Sequence, residues 1–181
     1  MQHPAGLLLA TVVFPLWVAT GFADWACHRA TRIALTSGLR ESLLHQLMFV
    51  QAGCVVAAMA LLQVNAAVLL LVAAVFVLHE LTVWWDLRIS LPVRRVTAFE
   101  QMVHSFQELL PLVTLLLLAL LAWDQALALI GQGSAAPDLR LRWKDTPLPP
   151  GLLAAGAAAA LLFNALPLAQ ETWSCMRAQR R

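Results

Sequence analysis

Charged residues and tyrosine are what this chain has least of. Of its 181 residues, 61% are hydrophobic, only 12% are charged and none is tyrosine. A soluble domain averages about 25% charged residues, so the composition argues against an ordinary soluble protein. A net charge of +2 without a basic run argues against nucleic-acid binding. The absence of tyrosine removes one side chain that can serve as a radical or proton relay.

Paired cysteines are lacking as well. Cys27, Cys54 and Cys175 show no short paired spacing, so neither a disulfide framework nor a thiolate zinc motif is expected. The first apolar stretch also has no positive segment before it, since Arg29 and Arg32 come after it. A signal peptide carries its positive charge first, and we therefore interpret the N-terminal stretch as an uncleaved first helix.

Long apolar runs are what the chain has in quantity. Five of them are long enough to cross or nearly cross a bilayer, which predicts an all-α, polytopic membrane bundle with a single domain over residues 1–181. Helix-breaking residues separate the runs, and a polar loop rich in glycine and proline occupies 124–150. The predicted helices span about residues 6–35, 39–64, 66–88, 97–123 and 151–172.

Arginine and lysine predict the orientation of the bundle. Nine arginines fall in the two short connections and the C-terminal tail, which share one side, and the other three basic residues lie in the long loop on the opposite side. The positive-inside rule then places the N-terminus outside and the C-terminus inside the cell. We expect a multi-pass protein of the bacterial cytoplasmic (inner) membrane, surrounded by membrane lipids. Arg94 and its neighbours in the connections are interpreted chiefly as topology signals.

Histidines and carboxylates recur in pairs in the half of the bundle predicted to face the cytoplasm. Each of the first four helices carries one of each, four or seven residues apart and therefore on one helix face. These residues are Asp24, His28, Glu41, His45, His79, Asp86, Glu100 and His104. Ionisable side chains are costly inside a membrane and are read as functional by default. Because short connections produce antiparallel hairpins, the four imidazoles are predicted to meet at one level and to bind a metal.

Imidazole and carboxylate together are ligands that iron, manganese and zinc accept. Iron is the expected cofactor, and manganese and zinc are the alternatives. Glu108 lies one turn beyond His104 and deeper in the membrane, which makes it the predicted catalytic residue, a proton donor. Glu80 points about 100° away from His79 and is assigned a supporting or interface role. Glu171 is interpreted as a surface partner of nearby arginines.

The pairs resemble, at the level of motifs only, the di-iron and di-manganese carboxylate proteins built on four-helix bundles. That resemblance implies bound iron or manganese. The spacing within the pairs is four residues instead of three, the order is reversed in the third helix, and there are four histidines instead of two. The segments DWACHR, SGLRESLLHQ, HELTVWWD and EQMVHSFQELLP also look like those of a bacterial inner-membrane family of about this size. This second resemblance implies a membrane location and no particular activity.

We therefore expect a metal-dependent, di-iron-like oxidoreductase that acts on a hydrophobic or lipid substrate at the cytoplasmic side. Three alternatives stay open: a zinc-dependent membrane hydrolase, a haem b electron-transfer protein and a divalent-metal transporter. Haem requires an apolar pocket, which the carboxylates do not suit. A transporter requires a polar path through the outer half, where residues 68–77 offer almost none. The sequence identifies no protein partner.

Overall fold

A computed structural model describes residues 3–180, which fold into helices joined by short connections and one longer loop. The helices are α1 Pro4–Thr31, α2 Leu39–Leu61, α3 Ala66–Ser90, α4 Ala98–Leu121, α5 Trp123–Leu129 and α6 Pro150–Gln179. All of them except α5 are long and apolar enough to cross a membrane. Within the described residues, strand-like pairing is confined to one bridge, between Leu62 and Trp143. The predicted all-α bundle with five spanning helices is confirmed.

Local capping explains where α3 and α4 begin. The side chain of Asn65 accepts a hydrogen bond from the N–H of Val68 and starts α3 at the predicted residue. At the start of α4, the Thr97 hydroxyl accepts from the N–H of Glu100, and the Glu100 carboxylate accepts from the N–H of Thr97. This capping box fixes the first turn of α4. It therefore also fixes the position of Glu100, which belongs to the predicted site.

The largest differences between the predicted and observed helix bounds are at the ends of the first and last helices. The first helix was predicted to reach residue 35, but α1 ends at Thr31 because Arg32 adopts a left-handed conformation with φ 55° and ψ 52°. A short 3-10 turn, Ile33–Leu35, follows before α2. The last helix extends to Gln179, nearly two turns beyond the predicted end at residue 172. The predicted outer loop contains the short helix α5.

The helices pack as one bundle in which α6 contacts both α1 and α2. The principal contacts of α1 are with α4 and α6, those of α2 are with α3 and α6, and α3 also packs on α4. We call the end of the bundle with the connections 32–38 and 91–97 the connection end, and the opposite end the loop end. An apolar core fills the part of the bundle toward the loop end: Leu9, Val13, Val68, Leu69, Val72, Leu110 and Leu118.

The loop between α5 and α6 lies against the turn between α2 and α3. The N–H of Gln63 donates to the carbonyl of Arg142, and the N–H of Lys144 donates to the carbonyl of Leu61, both at 2.9 Å. The side-chain amide of Asn65 donates to the carbonyl of Arg140 at 2.8 Å. These bonds satisfy backbone groups at the turn, so this loop covers part of the loop end.

Candidate metal centre

Seven of the eight predicted ligand residues converge at the connection end of the bundle. They come from four different helices and are buried or nearly so: Asp24, His28, Glu41, His45, Asp86, Glu100 and His104. The side chains of His28, Glu41 and Glu100 have no exposed surface. The four-residue spacing explains this arrangement within α1, α2 and α4, because each pair projects from one helix face.

One group of donors joins α1 to α4. Ligand atoms of Asp24, His28, Glu100 and His104 all lie within 4.8 Å of one another. The Nε2 atom of His28 is 3.3 Å from Asp24 Oδ1 and 3.5 Å from Glu100 Oε1, and His104 Nε2 is 3.0 Å from Asp24 Oδ1. Two ligands at about 2.1 Å from one ion lie about 3.0–3.4 Å apart. The spacing of these atoms therefore fits ligands around a single metal ion.

A second group of donors joins α1 to α2 and shares His28 with the first. Ligand atoms of His28, Glu41 and His45 lie within 4.8 Å of one another. On the α3 side, His45 Nε2 is 3.6 Å from Asp86 Oδ1. The rings of His28 and His45 stack with centroids 4.4 Å apart and planes 8° apart. The two donor groups are thus adjacent, with the stacked imidazoles between them.

The carboxylate of Glu171, from α6, is hydrogen-bonded to both stacked imidazoles. Its Oε2 lies 3.0 Å from His28 Nδ1, its Oε1 lies 3.3 Å from His45 Nδ1, and the residue is buried. With each Nδ1 turned toward Glu171, each Nε2 faces the other carboxylates. A carboxylate on the far nitrogen fixes the orientation and tautomer of a ligating histidine. The interpretation of Glu171 as a surface residue is therefore wrong, because α6 packs this face against α1 and α2.

A sequence signal for Glu171 existed in the spacing of α6. The buried residues Asn164, Pro167, Glu171 and Cys175 follow one another at intervals of three or four. That spacing defines the inward face of a helix. A carboxylate on an inward face of a membrane helix has the same functional implication as those on the other helices. Helix α6 carries no histidine, so Glu171 has no paired imidazole on its own helix.

Arg94 is the second residue that sequence analysis assigned differently. Its guanidinium is buried between two carboxylates: Nε donates to both oxygens of Glu41, at 2.9 and 3.1 Å, and another nitrogen donates to Glu100. Burial alone lowers the pKa of Arg94, but the hydrogen bonds and charges of Glu41 and Glu100 outweigh it and raise the pKa above the usual value. Arg94 is therefore a fixed cation of the centre as well as part of a basic connection.

Two polar atoms of the centre are buried without a hydrogen-bond partner within the described residues. They are His28 Nε2 and Asp86 Oδ1. Such atoms are uncommon in folded proteins because leaving them unpaired is costly. The His28 atom lies 3.3 Å from Asp24 Oδ1 within the first donor group, and the Asp86 atom lies 3.6 Å from His45 Nε2 of the second, so cations bound beside them would satisfy both. The donor types and their unpaired atoms therefore fit a metal ion.

His79, which is predicted to be a ligand, belongs to neither donor group. It lies eleven residues before the end of α3 at Ser90, whereas His104 lies six residues after the start of α4 at Ala98. At 1.5 Å per residue, this places His79 about 7 Å deeper in the bundle. His79 and His104 are nearly equidistant from Pro92 in the sequence, but the connection 91–97 is not symmetric about that residue.

Three cavities lie at or near the centre, and one of about 340 Å³ opens at the connection end beside His28, Glu171, Arg29 and Arg32. A polar cavity of about 80 Å³ lies beside the donors, with Asp24, His45, Asp86 and His104 among its lining residues. Glu108, the predicted catalytic residue, lines the same cavity but belongs to neither donor group. Toward the loop end lies an apolar cavity of about 50 Å³. Glu80, which was given a supporting role, lines none of these three cavities.

The stacked histidines bear on the haem alternative. The two axial histidines of a haem stand on opposite faces of the macrocycle. The rings of His28 and His45 instead contact each other directly at 4.4 Å and share the Glu171 carboxylate. No space for a macrocycle exists between them, and this pair suits metal ions in preference to haem.

Comparison of the chain with protein-family models, with curated proteins and with solved structures finds no match. Its function is therefore inferred from the chemistry of the centre.

Proposed function

We propose that this chain is an integral-membrane metalloprotein of the bacterial cytoplasmic membrane, and that its centre serves a di-iron-like oxidoreductase acting on a hydrophobic or lipid substrate. One observation carries the proposal. Imidazole and carboxylate donors from different helices form two overlapping groups, each with its ligand atoms within 4.8 Å. Side chains of this kind, brought together from distant parts of a membrane protein, are expensive to bury without a function.

The formal charge of the centre supports two divalent ions. Five carboxylates surround the stacked histidines and face a single guanidinium, that of Arg94: Asp24, Glu41, Asp86, Glu100 and Glu171. With neutral imidazoles this leaves an excess of four negative charges. Buried charge is strongly unfavourable unless it is paired. Two divalent cations balance the excess. Because the Nε2 atom of His28 can bind only one ion, one cation would be held by Asp24, His28, Glu100 and His104, and the other by Glu41, His45 and Asp86.

Iron fits the mixed donor set, and manganese and zinc are the alternatives. Bound iron would supply electron transfer and Lewis acidity to a substrate in the polar cavity. The residues around it have separate tasks. Glu171 keeps the Nε2 atoms of His28 and His45 directed toward the carboxylates, and Arg94 neutralises part of the charge on Glu41.

Glu108 is the proposed proton donor to the substrate. It lines the polar cavity next to Gln107, on the wall formed by α4, and is half-buried. It sits one turn beyond His104, so a substrate between Glu108 and the donors contacts both. A carboxyl group that faces the cavity without taking part in the donor groups is free to exchange a proton.

The test is metal analysis of the purified protein by mass spectrometry. We expect two equivalents of metal in the wild type and loss of most of it in His45→Ala and in His104→Ala, with unchanged membrane insertion. His3→Ala is the matched control, because the imidazole of His3 caps the first turn of α1 and does not belong to the centre.

Three results separate the possibilities. Stoichiometric iron supports the oxidoreductase, and stoichiometric zinc instead favours hydrolysis on the same ligands. A wild type without stoichiometric metal, indistinguishable from His45→Ala and His104→Ala after growth and purification with added iron, manganese and zinc, contradicts the proposal.

A further inference from the structure

The apolar cavity is not used by the metal centre, and it shares part of its wall with the polar cavity. Trp17 and His79 line both cavities. Beyond them the walls are almost entirely apolar, with Thr114 the other polar residue among those described. Thr114 already donates its hydroxyl hydrogen to the carbonyl of Leu110. A molecule that enters both cavities therefore meets an apolar half and a polar half, with His79 between them.

His79 is itself unsatisfied at this junction. It is 7% exposed, and its Nε2 atom is buried without a hydrogen-bond partner within the described residues. A buried polar atom in apolar surroundings is costly unless it is hydrogen-bonded. His79 lies outside the donor groups, so a metal ion held there does not satisfy it. A polar group of a bound molecule does.

We propose that the two cavities form one binding site for a single-chain amphiphile. Its aliphatic chain lies in the apolar cavity, and its uncharged, oxygen-bearing end, such as a primary alcohol, is hydrogen-bonded to His79 beside the metal donors. This inference rests on the proposed function for the reaction that follows binding, and it specifies the class of substrate. It also gives His79 a role in contacting substrate.

The size and position of the apolar cavity favour one chain. A volume of about 50 Å³ holds roughly four water-sized groups. This space accommodates part of a single aliphatic chain and is too small for a fused ring system. Along α3 its lining runs from Val72 to His79, about 10 Å. Phe14 of α1 and Ala52 of α2 line it and are only half-buried. These two helices have their principal contacts elsewhere, so the bilayer can supply a chain between them.

The polar cavity favours an uncharged end. Its described lining contains no lysine or arginine, and three of the lining residues are carboxylates: Asp24, Asp86 and Glu108. A phosphate or carboxylate therefore finds no lysine or arginine to pair with in this cavity. The amides of Gln107 and Asn164 and the ring of His79 provide uncharged hydrogen-bonding groups.

Photolabelling tests the site directly. The probe is a twelve-carbon primary alcohol with a diazirine at mid-chain. It is applied to the purified full chain in detergent, once with metal bound and once after a chelator has removed the metal. We expect saturable labelling of the apolar cavity, for example at Val75 and Phe76. Unlabelled dodecanol should compete at least tenfold better than dodecanoate.

Two alanines of α2 give a matched pair of variants. Ala52 lines the cavity, whereas Ala57 is exposed on another face. Ala52→Phe should abolish the saturable labelling and Ala57→Phe should retain it. His79→Leu should raise the concentration of dodecanol needed for half-maximal competition about tenfold, the effect of one lost hydrogen bond, while metal content stays unchanged.

Labelling that is non-saturable, or equal in Ala52→Phe and wild type, overturns the proposed site, and equal competition by dodecanoate overturns the uncharged end. Metal content is measured on the same samples. Saturable labelling without stoichiometric metal contradicts the proposed function alone. Stoichiometric metal without saturable labelling contradicts this inference alone.

Discussion

Glu171 determines which nitrogen atoms the stacked histidines present to the centre. Because one carboxylate takes the Nδ1 atoms of both His28 and His45, both Nε2 atoms are turned toward the acids of the first four helices. The rings therefore depend on a residue from the last helix of the bundle. A change at Glu171 is expected to alter metal affinity without removing any ligand from the two donor groups.

We predict that Glu171→Gln weakens metal binding about 10- to 100-fold, the usual effect of changing a group that orients a ligand. A glutamine offers one acceptor and one donor group, so one of the two imidazoles must change its tautomer or its position. Competition with a chelator measures the dissociation constants. Ser174→Ala, an exposed change in the same helix, is the control. Equal affinities in wild type and Glu171→Gln contradict the role of Glu171.

A substitution of Arg94 tests whether the centre carries an excess of negative charge. We predict that Arg94→Gln destabilises the metal-free protein by about 3–5 kcal/mol, since Glu41 and Glu100 lose a buried partner. In a chain of this length this corresponds to a fall of roughly 10 °C in the thermal midpoint. Added metal should restore more stability in the variant than in the wild type.

Thermal unfolding in detergent, with a chelator and then with added metal, measures both effects. The neighbouring Arg95→Gln is the control, because Arg95 is exposed in the same connection. A midpoint for Arg94→Gln that equals that of Arg95→Gln in chelator shows that the buried ion pairs contribute no stability.

At the scale of the helices, Gly21 and Asn164 bring α1 and α6 into close contact. The Asn164 amide donates to the carbonyl of Val18 at 3.0 Å, and a Cβ atom on Gly21 would lie 2.6 Å from Asn164 Oδ1. Asn164 lies in the π-helical turn Leu161–Ala165, which interrupts the regular α-helix of α6 at this contact. The same contact brings Glu171, two turns further along α6, against the imidazoles.

We predict that Gly21→Ala lowers the stability of the protein by about 1–3 kcal/mol, because the added methyl group displaces a buried amide. Gly53→Ala is the matched control: a Cβ atom at Gly53 meets nothing within 4 Å. There the change removes a flexible residue from a helix and should stabilise by about 0.5–1 kcal/mol. Thermal midpoints in one detergent compare the two, and equal shifts in both variants contradict the close contact.

Local sequence patterns predicted the helices and most of the donor residues. The positions of His79 and Arg94 depend instead on the connections between helices. The pairs Asp24/His28 and Glu100/His104 were recognisable because a helical period is a local property of the sequence. The depth of His79 depends on how seven residues, 91–97, are divided between α3 and α4, which no periodicity encodes. The buried position of the Arg94 side chain likewise depends on the path of that connection in the folded bundle.

The whole molecule is polarised along the bundle. Apolar side chains fill the loop end and the ionisable cluster occupies the connection end. Near the connection end, each of three tryptophan rings contacts the guanidinium of the arginine four residues further along the sequence. The distances from ring centroid to guanidinium are 4.1 to 5.6 Å, and the tryptophans are Trp25, Trp84 and Trp173. Tryptophan and arginine are typical of a membrane–water boundary. The metal donors thus lie within a few turns of one such boundary.

We predict that the connection end faces the cytoplasm, with the C-terminus inside and the loop before α6 outside, because nine of the twelve basic residues lie at or beyond the connection end. A membrane-impermeant maleimide tests this in cells with a permeable outer envelope. Ser134→Cys, in the exposed loop, should react in intact cells, whereas Gln179→Cys, exposed at the end of α6, should react only after the membrane is opened. The wild type measures the background reaction of Cys54, which is exposed on α2, whereas Cys27 and Cys175 are buried. The reverse pattern would place the centre at the outer surface and deny it a cytoplasmic reductant.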